Sequence, residues 1–467
     1  MSVTAPQGFR AAAVACGIKA SGALDLALVA STRPCTAAAV FTTNQIKAAP
    51  VRYDQAMLLQ RRAGFRAVVI NSGNANACTG PRGLSDVYSV TEFAAFLLGF
   101  PPDTILMMST GVIGVPLPVD KIRAGLMRAV PALSEEGGEA AARAIMTTDT
   151  RPKMAVRRLT LHGIPVTIGG MAKGAGMIHP HMATMLALIT TDAEIDADRL
   201  QALLRSAVDV SFHRITIDGD QSTNDTVMIL ANGAAGVAVD EASIPLFEEA
   251  LTDLCVELAK AIVQDGEGAT KFVEIRVRGA RTPEEARRIA RHIARSPLVK
   301  TAFYGEDPNW GRILAAAGAA GVSFDPDMVS LWIQRGDETP LLLFDRGSPA
   351  FYFEEQGGHG PAADPRVLGL DGGEGFQLPQ DLQRFPDRVP AFLDYGAMGG
   401  LALDLQLELH GPCLRDADRQ IGGFDRQHRL RPAGPGQRFR PPSHVFFIHR
   451  EGDADRRAGQ AFRSQKR

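Results

Sequence analysis

The stretch KGAGMIHPHMATMLALITT, from Lys173 to Thr191, places a hydroxyl where a glycine-rich turn gives way to an apolar run. Thr184 follows the small residue Ala183 and precedes five apolar residues, so we expect it to begin a buried strand. A hydroxyl at the end of a rigid element can be held in one rotamer, and nearby glycines let backbone approach a ligand closely. Nucleophilic chemistry is one hypothesis for Thr184. The alternative is a threonine that only begins a strand or satisfies a turn.

Other segments carry groups that could assist such a nucleophile. MSTGVIG contains Thr110 and Gly111, which could offer a hydroxyl and a backbone N–H to a developing oxyanion. Lys173 could offer a cation to a carboxylate ligand. DGEGATK offers a carboxylate, Glu267, between two glycines. Each group also has an ordinary interpretation, as part of a turn or as a solvated surface charge.

Metal and nucleotide sites are not predicted. His179 and His181 flank Pro180, which disfavours a helix, and a third ligand at helical spacing is absent from the neighbouring sequence. GGMAKGAG lacks the order of a phosphate-binding P-loop, and neither DGEGATK nor TIDGDQSTNDT keeps the order of a calcium-binding EF-hand loop. Ordinary turns are the better interpretation of these segments.

Apolar periodicity predicts the elements that must position these groups. FRAVVINSG and DTILMMSTG are typical of buried strands that end in glycine-bearing turns. KFVEIRVRG alternates apolar and charged residues and predicts a strand with one buried face. Thr282 and Glu285 form the pattern of a capping box before another helix, and EEGGEAAARAIMTTDT predicts a helix that runs into a threonine-rich loop. The sequence therefore predicts a mixed α/β or α+β fold.

Composition bounds the class of protein. The 467 residues are 45% hydrophobic and 22% charged, and their formal net charge of −2 gives no electrostatic case for binding nucleic acid or an anionic membrane. The N-terminus lacks the basic-then-apolar order of a signal peptide, and no uninterrupted apolar stretch reaches about 20 residues, so we expect a cytoplasmic protein. Five scattered cysteines without a CxxC pair argue against disulfides and structural zinc. Small molecules or other subunits are the expected partners.

Seven segments taken together are more specific than any one of them. In chain order they are NSGNANACTG, MSTGVIG, IMTTDT, MAKGAGMIHPHMATML, TIDGDQSTNDT, QDGEGATK and EDPNWGRILAA. Through them the chain resembles the ornithine acetyltransferase family of arginine biosynthesis, also called glutamate N-acetyltransferase, from the N-terminus to about Ile333. The resemblance implies a layered fold of mixed sheets and helices of the type found in N-terminal-nucleophile enzymes.

The resemblance implies that Thr184 is both the site of self-cleavage and the catalytic nucleophile. Attack of its hydroxyl on the carbonyl of Ala183 and hydrolysis of the resulting ester would free an α-amine beside the same hydroxyl. An α-amine has an ordinary pKa near 8, so it can act as a general base near neutral pH. Acetylornithine would then acetylate Thr184, and glutamate would take the acetyl group in a ping-pong exchange without a coenzyme.

The resemblance also implies roles for other residues. Thr110 and Gly111 match the family's oxyanion pair. Lys173 matches a contact for the substrate α-carboxylate, and Glu267 matches an acidic contact for the amino end of ornithine. Thr147 matches a further substrate contact, although Thr148 and Thr150 in the same TTDT segment are alternatives. Relatives assemble from paired cleaved chains, which implies a heterotetramer of two α and two β segments.

The sequence after about Ile333 departs from the family. We expect an α segment over residues 1–183, a β segment over 184–333 and an atypical tail over 334–467 that is rich in glycine, proline and arginine. A shifted reading frame would produce such a change in composition, and so would a divergent or an added tail. LALDLQLELH predicts an isolated strand within this tail. The Asn and Ser or Thr with which family members close are not found there. An N-terminal-nucleophile aminopeptidase or amidohydrolase and an inactive paralogue are therefore the alternatives, and the motifs do not decide whether acetyl-CoA also serves as a donor.

Overall fold

The computed structural model describes residues 2–179, 185–350, 401–409 and 445–449. The chain divides into two compact units. The first comprises Met1–Ala269 with Val445–Phe447, and the second comprises Thr270–His444 with Ile448–Arg467. Strands and helices alternate through both units, which confirms the predicted mixed α/β class.

The first unit is built on an eight-stranded sheet with the order β4-β3-β2-β9-β7-β6-β5, in which β1 pairs with β2 off this path. The strands of the first unit are β1 (Phe9–Val14), β2 (Leu26–Phe41), β3 (Ala63–Asn74), β4 (Ile105–Val112), β5 (Lys153–Leu161), β6 (Ile164–Lys173), β7 (Leu186–Thr191), β8 (Ile215–Thr216) and β9 (Thr226–Ala231). β8 lies outside this sheet and pairs with residues of β15 (Val445–His449). The strands predicted in FRAVVINSG and DTILMMSTG are confirmed as β3 and β4.

The helices of the first unit are α1 (Ala49–Gln60), α2 (Gly80–Leu98), α3 (Val119–Ala129), α4 (Gly138–Ala144), α5 (Ala197–Val210) and α6 (Ile244–Gln264). The helix predicted before the threonine-rich loop is confirmed as α4. α5 begins where Asp196 accepts a hydrogen bond from the N–H of Arg199, and α2 ends at Gly99 in the left-handed conformation. Across the part of the chain that the structure describes, no helix is long and apolar enough to cross a membrane.

The middle of the sheet is covered on both faces. Every residue of β7 and β9 is buried, which explains why these strands are largely apolar and do not alternate between apolar and polar residues. The neighbouring strand β6 is also covered on both faces, so it carries glycine where other residues come too close for a side chain. A side chain at Gly170 would lie 2.9 Å from Leu254 of α6, and one at Gly169, on the other face, would lie 2.1 Å from the carbonyl oxygen of Ser2.

The second unit contains β10 (Lys271–Arg278), α7 (Pro283–Arg295), α8 (Pro297–Tyr304), α9 (Trp310–Gly318), β11 (Val329–Arg335), β12 (Leu341–Asp345), β13 (Ser348–Pro349) and β14 (Leu401–Leu409). The capping box predicted at Thr282 and Glu285 is present at the start of α7. β14 confirms the strand predicted in the tail, but that strand is not isolated. It pairs in parallel with β10 and antiparallel with β11, because its alternating apolar residues match the half-buried pattern of β10.

A carboxyl group is buried under the edge of the first sheet. Asp54 of α1 is 1% exposed, and its Oδ1 accepts a hydrogen bond of 3.0 Å from the N–H of Met107 in β4. Within the described residues its Oδ2 has no hydrogen-bond partner. Burial therefore raises the pKa of Asp54 well above its ordinary value, although the N–H of Met107 opposes the shift.

Replacing Asp54→Asn is expected to change the pH dependence of stability. Between the unfolded pKa near 4 and the raised folded pKa, the native state holds a proton that the unfolded state has released, so the free energy of unfolding falls as pH rises. The asparagine side chain does not titrate, so the free energy of unfolding of the variant should rise relative to that of the wild type by up to about 1.4 kcal/mol per pH unit across that window. Urea unfolding at several pH values measures the difference.

Tyr53→Phe is the matched control, because Tyr53 lies in the same helix and donates its hydroxyl to the carbonyl oxygen of Ile105 in the same strand at 3.0 Å. This change should lower stability by about 1 kcal/mol without altering the pH slope between pH 4 and 8. Parallel curves for Asp54→Asn and the wild type would contradict the buried protonated carboxyl.

Candidate active site

The residues predicted to stabilise an oxyanion lie at the shared end of two parallel strands. β3 and β4 run in register, so Ser72 pairs with Thr110 and Gly73 pairs with Gly111. Thr110 is buried and Gly111 is exposed. A side chain at Gly111 would lie 2.3 Å from the carbonyl carbon of Gly73, and its φ is +135°, so this backbone requires glycine. An exposed strand end without a side chain leaves room for a ligand to approach.

A chain of buried amides fixes this strand end. Ser109 donates its hydroxyl to Asn71 Oδ1 at 2.6 Å, and the Nδ2 of Asn71 donates to the carbonyl oxygen of Asn74 at 2.8 Å. The Nδ2 of Asn224 donates to the carbonyl oxygens of Ser109 and Ala75, at 2.8 and 2.6 Å. A backbone movement around Thr110 would leave buried amide groups without partners, which destabilises the folded protein. The network therefore holds this backbone in one arrangement.

Lys173 brings a buried positive charge to the same place. It is the last residue of β6 and is 1% exposed, and its Nζ lies 3.3 Å from Thr110 Oγ1. Burial lowers the pKa of Lys173 below its ordinary value, although the negative charge of Asp149 opposes the shift. The cation that was predicted to bind a carboxylate therefore contacts the residue that was predicted to stabilise an oxyanion.

A second buried lysine joins two carboxylates beneath the threonine-rich loop. The Nζ of Lys153, on β5, donates to Asp149 Oδ1 and to Asp265 Oδ2, each at 2.6 Å. The three side chains are 1%, 0% and 4% exposed, respectively, so these charges are shielded from water. Although burial alone would raise the pKa of Asp149, the charges of Lys173 and Lys153 keep it below its ordinary value. We call Asp149, Lys153 and Asp265 the Lys153 cluster.

The carboxylates of the Lys153 cluster also bind backbone. Asp149 accepts from the N–H of Thr147 at 2.9 Å and from the N–H of Gly174 at 2.7 Å. Asp265 accepts from the N–H of Thr150 at 3.0 Å and from its hydroxyl. Both the N–H and the hydroxyl of Thr150 are thus engaged by Asp265.

Glu267 lies against the glycine-rich segment that follows Lys173. Its N–H donates to the carbonyl oxygen of Ala175 at 2.7 Å, and its carboxylate occupies the space where a side chain at Gly176 would be, 2.7 Å from Oε1. Gly176 is therefore required for this close approach. Glu267 is exposed and its negative charge acts on Lys173, so a cation and an anion are presented near each other.

Ala183, Thr184 and His181 lie outside the described residues. The structure does fix the residues that follow: Met185 donates its N–H to Asp225 Oδ1 at 3.1 Å and accepts at its carbonyl oxygen from the N–H of Thr226 at 3.2 Å. One residue further on, Leu186 pairs with Lys173 across the β6–β7 ladder. The start of β7 is therefore anchored beside the buried cation.

Sequence reasoning missed the two anchors on TIDGDQSTNDT, which it interpreted as an ordinary turn. Asp225 anchors Met185, and Asp218 accepts from the N–H of Ile178 at 2.9 Å and from that of Met177. A carboxylate next to an apolar run, as in Asp225-Thr226-Val227, was the available signal for a buried acid. Within the described residues no group of three histidine, cysteine or acidic side chains could hold a metal, and His179 Nδ1 lies 3.3 Å from Thr216 Oγ1.

Comparison with known proteins gives the class. The model of the ArgJ family matches residues 10–360. The chain is 52% identical to the arginine biosynthesis bifunctional protein ArgJ of Symbiobacterium thermophilum over 371 residues, which are 78% of this chain and 89% of that protein. It is 48% identical to the protein of the same name from Gloeobacter violaceus over 361 residues, 75% of this chain and 88% of that protein.

Two solved structures are also similar. Ornithine acetyltransferase of Mycobacterium tuberculosis, complexed with ornithine, is 50% identical with a TM-score of 0.36, over 38% of this chain and 94% of that chain. The ArgJ protein of Bacillus halodurans is 38% identical with a TM-score of 0.37, over 40% of this chain and 94% of that chain. The present protein is an acyltransferase. The extent and identity of the sequence matches show that the chain belongs to the ArgJ family.

Gly111→Ala is expected to lower the free energy of unfolding by more than about 2 kcal/mol, because it combines an unfavourable φ with a clash against the backbone of β3. Gly114→Ala, in the bend that follows β4, is the matched control. Its φ is +85°, but no atom lies within 4 Å of the added carbon, so its cost should be about 1 kcal/mol. Urea unfolding of both variants measures the two costs, and equal costs would contradict the close approach of β3 and β4.

Proposed function

We propose that this protein transfers acetyl from N2-acetyl-L-ornithine to L-glutamate through an acetyl ester on Thr184, as a step of arginine biosynthesis. Membership of the ArgJ family and the names of its relatives support the pathway. The observation that carries the proposal is the contact of the buried Lys173 with Thr110, beside the anchored start of β7. The proposed nucleophile is one residue before Met185, where that anchor begins.

In the proposed reaction, the hydroxyl oxygen of Thr184 attacks the acetyl carbonyl carbon of acetylornithine while the α-amine of Thr184 takes the hydroxyl proton. Thr110 and Gly111 stabilise the oxyanion that forms, and each such donor contributes roughly 3 to 4 kcal/mol to the transition state. The C–N bond then breaks, and the amine returns its proton to the departing ornithine. The amino group of glutamate attacks the ester by the same steps in reverse.

The charges of the site support this substrate class. We assign Lys173 to the α-carboxylate that both substrates carry, and Glu267 to the side-chain ammonium of ornithine. Thr147, whose N–H is already held by Asp149, is assigned a hydrogen bond to substrate through its hydroxyl. A buried cation and an exposed anion on adjacent segments suit an amino acid with opposite charges at its two ends.

We also propose self-cleavage between Ala183 and Thr184, since the nitrogen of Thr184 can act as a base only after the peptide bond is broken. The resulting segments, 1–183 and 184–467, are proposed to stay together and to pair into a heterotetramer. The sheet order supports their association: β9 and β7, from the second segment, lie between β2 and β6, from the first. Separation would break two strand interfaces.

The exchange assay tests the function. Purified protein supplied with acetylornithine and glutamate is expected to yield ornithine and acetylglutamate in equal amounts, measured by mass spectrometry. Release of free acetate without any need for glutamate would instead indicate the N-terminal-nucleophile hydrolase. Acetylglutamate formed from acetyl-CoA and glutamate would add the second activity that the word bifunctional in the names of the relatives suggests. Cleaved protein without any product would indicate an inactive paralogue.

Self-cleavage is expected to give two bands on a denaturing gel, with the second beginning at Thr184 on N-terminal sequencing. Thr184→Ala should leave one intact chain because the hydroxyl is lost, whereas Thr184→Ser should cleave more slowly. Thr191→Ala, at the far end of β7, is the control and should cleave normally, since the hydroxyl of Thr191 donates to the carbonyl oxygen of Thr167 at 2.9 Å. A new N-terminus at another residue would show that the nucleophile is elsewhere.

A further inference from the structure

We propose that the Lys153 cluster sets the enzyme's specificity for the length of the substrate side chain. It would do so by fixing the distance between Lys173 and Glu267, which bind the two ends of the substrate. Asp149, Lys153 and Asp265 are thus positioning residues, acting through Lys173, Thr147 and Glu267. The inference rests on the proposed function, which assigns those three residues to substrate contacts.

The cluster reaches each of the three segments that carry these contacts. Asp149 binds the N–H of Thr147 itself and the N–H of Gly174, the residue that follows Lys173. Asp265 precedes Glu267 by two residues. The Nζ of Lys153 is the shared donor, at 2.6 Å from both carboxylates. A single ammonium therefore connects the loop before β5, the end of β6 and the segment after α6.

The ammonium is itself held by a rigid element. Lys153 begins β5 and pairs with Ala172 in the antiparallel β5–β6 ladder, next to Lys173. Glu267, by contrast, lies in a turn beyond the end of α6 and is exposed. Asp265 therefore ties the exposed, anionic end of the site to the same ladder that carries its cation. If the Asp265 tie is lost, only the bond from the N–H of Glu267 to Ala175 and the packing of its carboxylate on Gly176 hold its position, so its distance from Lys173 can change.

The contacts of the cluster separate this role from catalysis. Lys153 donates to the two carboxylates, and Asp265 accepts from Lys153 and from Thr150. Within the described residues, neither hydrogen-bonds to Thr110 or Gly111. Loss of the cluster should therefore affect which substrate binds more than how fast a bound acetyl group moves. Enzymes typically discriminate between substrates that differ by one methylene group by about 10-fold to 200-fold in kcat/KM. A loss of this discrimination is therefore large enough to measure.

The experiment compares acetylornithine with N2-acetyl-L-lysine, whose side chain is one methylene group longer. The main variant is Asp265→Asn, which keeps an oxygen acceptor for Thr150 and leaves Lys153 paired with Asp149. We expect the kcat/KM for acetylornithine divided by that for acetyllysine to fall by about tenfold. The fall should come from a higher KM for acetylornithine, with kcat within about threefold of wild type. Lys153→Gln should shift the ratio in the same direction.

Glu257→Gln is the matched control. Glu257 lies in α6 and pairs with Arg157 of β5 at 2.7 Å, so this ion pair joins β5 to the helix that Asp265 directly follows, but it lies nearer to solvent. Its loss should leave the ratio of the two donors within about twofold of wild type, because exposed pairs contribute little. A merely structural cluster would reduce the amount of active enzyme at an unchanged KM and an unchanged ratio.

Hydrogen exchange, followed by mass spectrometry on the intact protein, supplies a readout that does not need turnover. Peptides covering residues 147–150, 173–176 and 265–269 should exchange about tenfold faster in Asp265→Asn and Lys153→Gln than in Glu257→Gln. Unchanged exchange or an unchanged donor ratio in Asp265→Asn overturns the inference while the proposed function stands. If the wild type makes no acetylglutamate, the proposed function fails, and the exchange rates alone support or overturn the cluster as the tie between these segments.

Discussion

Burial of the Lys173 ammonium is the constraint on which the rest of the candidate site depends. An ammonium that is removed from water is stable only with compensating charge and hydrogen bonds, so its neighbourhood cannot be assembled from apolar residues alone. Asp149 supplies the opposing charge, and Lys153 in turn holds Asp149 in place. The outcome is a polar interior beneath the ends of strands whose other residues form an apolar core.

This arrangement also explains why the site is so rich in glycine. Gly111 lets two strand ends approach closely, and Gly176 makes room for the carboxylate of Glu267. Larger residues at these positions would push apart the groups that the buried charges draw together. Close packing of the backbone and burial of charge are linked here, because both depend on contacts between segments that are far apart in sequence, such as the contact of Lys173 with Thr110.

Periodicity predicted the local elements well, since the apolar runs of β3 and β4 and the capping box of α7 are properties of contiguous residues. The grouping of Thr110, Gly111, Lys173, Thr147 and Glu267 followed from a family resemblance and stays a prediction. The structure shows contacts for parts of it: Lys173 with Thr110, Glu267 with Gly176, and Asp149 with both Thr147 and Gly174. The partners of Lys153 could not be predicted, because Asp265 is 112 residues away and nothing in a single sequence marks two such residues as neighbours. β14 was expected to stand alone for the same reason: its pairing with β10 and β11 is a long-range property.

If the proposed self-cleavage cuts the chain before β7, the order β2-β9-β7-β6 in the first sheet has a consequence for folding. An uncut chain brings these strands together in a unimolecular process, whose loop-closure cost does not depend on protein concentration. After the cut, the same central strands belong to two molecules, and refolding from the denatured state becomes bimolecular and concentration-dependent. The cleaved protein would then stay folded because its unfolding is slow. The native fold, which an uncut chain reaches readily, would not readily re-form from the two segments in dilute solution.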